Sequence, residues 1–171
     1  LRALVAHIPS GAVVVGVVDP GVGTSARDPV ILHADDRWFV GPGNGLFNAA
    51  AAKGEACRWF RIGWRPEQLS ASFHGRDLFA PVAARLASGR RVGMEEFGGP
   101  DLSGWEHDLA EIIYIDGFGN AVTGTEAGSL GPGASLMVSG RQIRWARTFS
   151  EAPEGEPFWY ANSMGLVEIA A

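Results

Sequence analysis

The sequence predicts an α/β layer domain followed by a small antiparallel β domain, and three observations carry that expectation. The β-branched run from Ala12 to Val18 leads straight into the glycine-rich turn Asp19-Pro20-Gly21-Val22-Gly23-Thr24, as a buried central strand feeding a loop does. Strand-like and helical runs then alternate up to Gly89. Beyond Glu111 the helical period disappears, and short β-rich runs separated by glycine-containing turns replace it. The expected organisation is therefore an α/β domain over 1–97, a linker over 98–110 that opens on Phe97-Gly98-Gly99-Pro100-Asp101, and a β domain over 111–171.

Element by element, Leu1 to Pro9 reads as the tail of a helix entering a loop, and Val13 to Val18 as a strand. Val30–His33 and Trp38–Val40 read as a hairpin around Asp35-Asp36. Gly41-Pro42-Gly43-Asn44-Gly45 is a second glycine-rich loop, feeding a short helix over Leu46–Ala52, and Arg58–Ile62 reads as a strand. Leu78, Phe79, Val82, Ala83 and Leu86 keep helical spacing. Asp77 is the expected N-cap of that helix, Pro81 suits its first turn and Gly89 its stop. In the second domain the expected strands are Ile112–Ile115, Ala121–Thr125, Ser135–Val138, Gln142–Ala146, Phe158–Tyr160 and Leu166–Ile169.

A chain of 171 residues can bury a real core. Its net charge of −5, with no basic run, argues against nucleic acid or an anionic membrane as partner. The longest apolar run is too short to span a bilayer. Cys57 is the only cysteine, which excludes an intrachain disulfide and a cysteine-based metal cluster and fits a reducing, cytoplasmic setting.

Five places carry candidate chemistry. His74, in Phe73-His74-Gly75-Arg76-Asp77, falls at the mouth of a helix, where the dipole favours the neutral imidazole able to take a proton; a structural hydrogen-bonding role is the alternative. Asp19 stands at the carboxyl end of a strand, where ligand sites of α/β sheets collect, although Asp-Pro is also a common turn pair. Gly21-Val22-Gly23-Thr24 lacks the Gly-Lys-Ser/Thr of a phosphate loop. Asp116-Gly117-Phe118-Gly119-Asn120 offers a carboxylate, a ring and an amide, yet a plain hairpin turn uses the same residues. In Asn162-Ser163-Met164-Gly165, a hydroxyl and turn amides could hold a carboxylate. His7, His33 and His107 lack metal-ligand spacing and read as surface or packing residues.

Taken in order, Val17 to Thr24, Val40 to Leu46, Phe73 to Pro81, Tyr114 to Asn120, and Asn162-Ser163 with Gly165 to Ala170 resemble the S-adenosyl-L-methionine (SAM) hydroxide adenosyltransferases, or SAM hydrolases, relatives of the fluorinase and chlorinase enzymes. The resemblance runs across essentially the whole chain. It implies a homotrimer with each site between the N-terminal domain of one subunit and the C-terminal domain of the next. It also implies hydrolysis of SAM to adenosine and methionine, with SAM as substrate and neither cofactor nor metal.

On that resemblance Asp19, Arg27 and His74 form the Asp–Arg–His set that positions and activates water. Arg27 fills the arginine position if one extra residue lies after Thr24; ungapped, Ala26 would stand there, but Pro29-Val30-Ile31 matches better with the insertion. Asp116 resembles the acceptor of the methionine ammonium, Asn120 the adenine reader with Phe118 beside it, and Ser163 a contact of the methionine carboxylate. The nearest rivals are a SAM-dependent 5′-halogenase and a catalytically incomplete, adenosine-binding trimer scaffold. Related halogenases have tyrosine in place of Asp19 and a hydroxyl where this chain has Val22, and a carboxylate there repels halide. Family members carry a further N-terminal Thr-Asp-Phe-Gly-like segment and a stretch beyond the position of Ala171, and they have aspartate where Gly43 stands. The resemblance thus implies a chain cut at both ends, its α/β domain lacking its first strands.

Overall fold

The computed structural model describes residues 1–105, 108–131 and 133–170, so His107 lies outside the described residues. The chain divides into two compact units, Leu1–Trp105 and Glu106–Ala171.

The first unit contains a five-stranded sheet in the order β1-β3-β2-β4-β5. Its strands are β1 (Val13–Val15), β2 (Pro29–Ala34), β3 (Arg37–Pro42), β4 (Cys57–Ile62) and β5 (Met94–Phe97). Helices α1 (Arg2–Val5), α2 (Asn48–Ala51) and α3 (Ala80–Ala87) complete it. Alternation along the strands sorts the core into two faces. Val30, Leu32, Phe39 and Trp59 pack with Phe47, Ala50 and Ala51 of the α2 region on one face. Ile31, Val40, Phe60 and Ile62 pack with Leu78, Phe79, Val82 and Ala83 of the α3 region on the other. Phe79 and Val82 are fully buried, and each such side chain stabilises the fold by about 1.5–3 kcal/mol relative to exposure.

The helix–sheet layering agrees with the expected class, but the sheet is mixed and its strands are mostly antiparallel. Only β1–β3 is parallel among these pairings. The two-residue turn Asp35-Asp36, with φ of 45° and 65°, joins β2 to β3 as a tight hairpin and so dictates an antiparallel pair. The expected central strand Val13–Val18 is instead a three-residue strand at one edge of the sheet. The chain leaves the ladder after Gly16, whose N–H still donates to Val40 O at 3.1 Å. Beyond it the Asn44 side chain donates to Val18 O at 2.7 Å. β5 was not expected, because Glu95 and Glu96 dilute its strand character. Arg58 nevertheless forms a forked pair with Glu96 across it.

The second unit has a six-stranded sheet in the order β6-β7-β11-β10-β9-β8. Its strands are β6 (Leu109–Ile115), β7 (Ala121–Glu126), β8 (Leu136–Val138), β9 (Arg141–Trp145), β10 (Phe158–Ala161) and β11 (Leu166–Ala170). The expectation of a purely antiparallel domain fails at one pair: β9 and β10 run parallel, with Phe158 opposite Arg144 and Trp159 opposite Trp145. The cause is the connection from Ala146 to Pro157, long enough to cross back and carrying a 3₁₀ turn at Phe149–Glu151. Ile143, Trp159 and Val167 form one buried cluster of this unit, and Ala146, Phe158 and Ala170 form another. Among the described residues no helix is long and apolar enough to cross a membrane.

Candidate active site

The Asp19 turn is shaped by local hydrogen bonds and one glycine. Val22 N–H donates to Asp19 O at 3.3 Å, and the Thr24 hydroxyl donates to Gly21 O at 2.7 Å. Gly23 has φ of +77°, and a Cβ there would lie 2.4 Å from Ala71 O. Glycine therefore lets this turn lie against the bend at Ala71 that leads to His74.

His74 does not sit ahead of an N-cap at Asp77, as the sequence suggested. A single π-helical turn, Gly75–Phe79, begins directly after His74 and runs into α3. Asp77 is already inside it, its N–H donating to Phe73 O at 2.9 Å. The Asp77 carboxylate accepts from Arg76 Nε and, at 3.2 Å, from Ser70 N–H. Those partners, Arg76 first, hold its carboxyl below the ordinary carboxylate range even though burial works in the opposite sense. The expected stop at Gly89 is realised: with φ of +65°, Gly89 N–H reaches Leu86 O at 3.0 Å and Arg90 N–H reaches Arg85 O at 2.8 Å, a Schellman closure.

Arg27 joins the two segments. Its Nε donates to Asp19 Oδ1 at 3.0 Å, and its Nη2 donates both to Asp19 Oδ2 and, at 3.3 Å, to His74 Nδ1. The Asp19 and Arg27 side chains are only 5% and 6% exposed. The guanidinium carbon lies 5.5 Å from the centre of the Phe79 ring, which walls the pair on the core side. Because guanidinium can only donate, His74 Nδ1 is the acceptor of this contact, which leaves Nε2 as the ring N–H. The imidazole thus presents an N–H rather than a free basic nitrogen on its second side. Beside the cluster lies a cavity of about 230 Å³, lined in part by Thr24, Arg27, Arg65 and His74, with room for several waters.

The second unit holds the remaining candidates. Asp116 Oδ1 accepts from Phe118 N–H at 2.8 Å and Asn120 N–H at 2.9 Å, and Oδ2 accepts from Asn120 Nδ2 at 3.0 Å. Burial raises the Asp116 carboxyl, but the hydrogen bonds from Asn120, Phe118 and Gly119 outweigh it and hold it below its ordinary value. Asp116 and Asn120 are thereby locked together, while the Phe118 ring stands 95% exposed at the tip of the turn. Ser163 is exposed in the turn between β10 and β11. Asn162 Oδ1 shapes that turn by accepting from Met164 N–H at 2.9 Å and Leu166 N–H at 3.0 Å.

Sequence reasoning missed Glu168 and Tyr160. Glu168 is buried, and its carboxylate accepts from the Tyr160 hydroxyl and, at 3.0 Å, from Asn162 Nδ2. A lone glutamate inside the apolar run Leu166-Val167-Glu168-Ile169-Ala170 was the available signal. His33 stacks on Trp38 with ring centres 4.1 Å apart, a packing role. Trp59 is core.

The two-sheet fold is one this chain shares with known proteins. The family model described as the SAM hydroxide adenosyltransferase N-terminal domain matches residues 1–98, and that for the C-terminal domain matches residues 110–171. The chain belongs to the SAM hydroxide adenosyltransferase family. It is 40% identical over 184 residues to the (R)-S-adenosyl-L-methionine hydrolase of Thermus thermophilus, covering 96% of this chain and 69% of the relative. It is 41% identical over 191 residues to the enzyme of the same name from Salinispora arenicola, covering 99% of this chain and 70% of the relative. Among solved structures, a conserved protein from Thermotoga maritima superposes with a TM-score of 0.79 at 26% identity, covering 99% of this chain and 76% of that one. A conserved hypothetical protein from Thermus thermophilus gives 0.73 at 37% identity, covering 99% and 70%.

Proposed function

We propose that this protein hydrolyses SAM to adenosine and L-methionine by in-line attack of water on the ribose 5′ carbon. The observation that carries the reading is the convergence of Asp19, Arg27 and His74, separated by 8 and 47 residues in the chain, into one hydrogen-bonded cluster. The names of the relatives, matched over nearly the whole chain, support it.

The chemistry asks little of the protein beyond a positioned water. The sulfonium leaves as the neutral thioether of methionine, so the leaving group needs no acid, metal or cofactor. The C5′–O bond forms as the C5′–S bond breaks, its electron pair passing to sulfur, and the water gives up one proton. In the proposed arrangement a remaining Asp19 lone pair accepts that proton. His74 Nε2–H donates to the water oxygen and fixes its direction, while Arg27 holds both partners in place. In this reading, with Nδ1 engaged by Arg27, the His74 ring orients water as a donor and the proton goes to the carboxylate. Asp116 takes the methionine ammonium, Ser163 its carboxylate, and Asn120 with Phe118 the adenine. The working assembly is a cytoplasmic homotrimer with sites completed between subunits.

The test is chromatography of the purified protein incubated with SAM. Adenosine and methionine in equal amounts are expected. Absence of adenosine, or calorimetric binding of adenosine with no turnover, would replace the enzyme by an adenosine-binding scaffold.

A further inference from the structure

We propose that Glu168 is a positioning residue that holds the methionine-carboxylate end of the site through Asn162 and Tyr160. This inference rests on the proposed role of Ser163 in gripping the amino-acid tail of SAM.

Glu168 occupies the middle of β11, directly opposite Tyr160 on β10. It is 7% exposed, so its charge is withdrawn from water, a cost borne only where the group is well hydrogen-bonded. Both carboxylate oxygens are engaged. The Tyr160 hydroxyl donates to one, and Asn162 Nδ2 donates to the other at 3.0 Å. Burial and the Glu168 carboxylate raise the Tyr160 hydroxyl far above its ordinary range, and the Asp116 carboxylate adds to the effect; Tyr160 therefore remains a donor.

The consequence runs through Asn162. An asparagine amide has one donating and one accepting end, and a half-turn of the group exchanges them. Glu168 can only accept, so it fixes the NH₂ of Asn162 toward itself. That leaves Asn162 Oδ1 aimed at Met164 N–H and Leu166 N–H, the two contacts that shape the turn bearing Ser163. The substitution Glu168→Met removes both acceptors and adds no donor. The Tyr160 hydroxyl and Asn162 Nδ2 would then lose their partner, and Asn162 could turn over and release the Ser163 turn.

The test uses the full chain with Glu168→Met. Two probes are titrated by calorimetry: adenosine, which lacks the tail, and S-adenosyl-L-homocysteine, which carries it without the reactive sulfonium. The variant should bind S-adenosyl-L-homocysteine about tenfold more weakly, the scale of one lost hydrogen bond to a charged group, with adenosine affinity within about twofold of wild type. SAM turnover should show the same split, with KM raised about tenfold and kcat changed less than about threefold. Equal weakening of both probes, or no change in either, would overturn the proposal. Tyr160→Phe, which removes one donor and leaves the backbone untouched, supplies a second reading if Glu168→Met fails to fold. It should weaken the tail-bearing probe about threefold and leave adenosine unchanged, and loss of that selectivity would overturn the proposal equally. A wild-type protein that does not turn over SAM would refute the hydrolase reading and this inference with it. A wild type that is active beside an unchanged variant refutes this inference alone.

Discussion

Replacing Arg27 by Met isolates what the buried pair contributes. Methionine keeps most of the side-chain stem that packs toward Phe79, so the change removes chiefly the charge and its donors. Three contacts disappear: the bond at 3.0 Å to Asp19 Oδ1, the contact with Oδ2, and the bond at 3.3 Å to His74 Nδ1. The Asp19 side chain, only 5% exposed, is left as a buried charge without its counter-ion. Breaking one side of such a pair costs about 3–5 kcal/mol. In a chain of this length each kcal/mol moves the melting temperature by about 2–4 °C, which gives a fall of about 6–20 °C. The assay is thermal unfolding followed by circular dichroism, with adenosine release measured in parallel. The double variant Asp19→Leu with Arg27→Met sharpens it: with no stranded charge, it should melt above Arg27→Met alone, although it should be inactive. A single variant that melts within about 3 °C of wild type, or a double variant no better than the single, would refute the claim that the pair is electrostatically coupled.

Three further outcomes are expected. His74→Ala should slow turnover about 10²-fold or more while adenosine affinity stays within about twofold; equal loss of both by calorimetry would make His74 a structural residue. Gly23→Ala should destabilise the first unit by about 1–3 kcal/mol in denaturant unfolding, because it combines a φ of +77° with a Cβ only 2.4 Å from Ala71 O, and an unchanged midpoint would contradict the packing of the Asp19 turn. Asp116 has its carboxyl lowered in the folded state, so its stabilising hydrogen bonds are fully present above the ordinary carboxylate range and are lost as pH falls through the lowered value. The stability gap between wild type and Asp116→Asn should therefore be constant from about pH 8 to pH 5 and close below about pH 4; a gap that widens in acid would reverse the sign.

Much of the fold could be read from local chemistry. Asp35-Asp36 signalled its hairpin because aspartate tolerates the positive φ that both positions adopt. Gly89 signalled the end of α3 for the same steric reason. What could not be read depends on distant partners. β1 ends early, and Val18 O beyond it is met by the side chain of Asn44, 26 residues away. The parallel pairing of β9 with β10 is a property of the path taken between them, and its strand residues carry no mark of direction. Of the site, Asp19 and His74 stood out by their turns, and the structure brings Arg27 to both. The π-helical turn after His74 has no sequence signature distinct from that of an α-helix, which is why Asp77 was misread as a cap. Glu168 was passed over although a buried acid in an apolar strand is costly without partners, and those partners, Tyr160 and Asn162, lie on the neighbouring strand and its turn.

The central claim is that water is the nucleophile and the ribose 5′ carbon its target. Turnover of SAM in ¹⁸O-water, with the products analysed by mass spectrometry, tests it most directly. The account predicts adenosine carrying one ¹⁸O at the 5′ hydroxyl and methionine carrying none. Adenosine without label, label in methionine, or a 5′-halogenated nucleoside in place of adenosine when halide is present would contradict it.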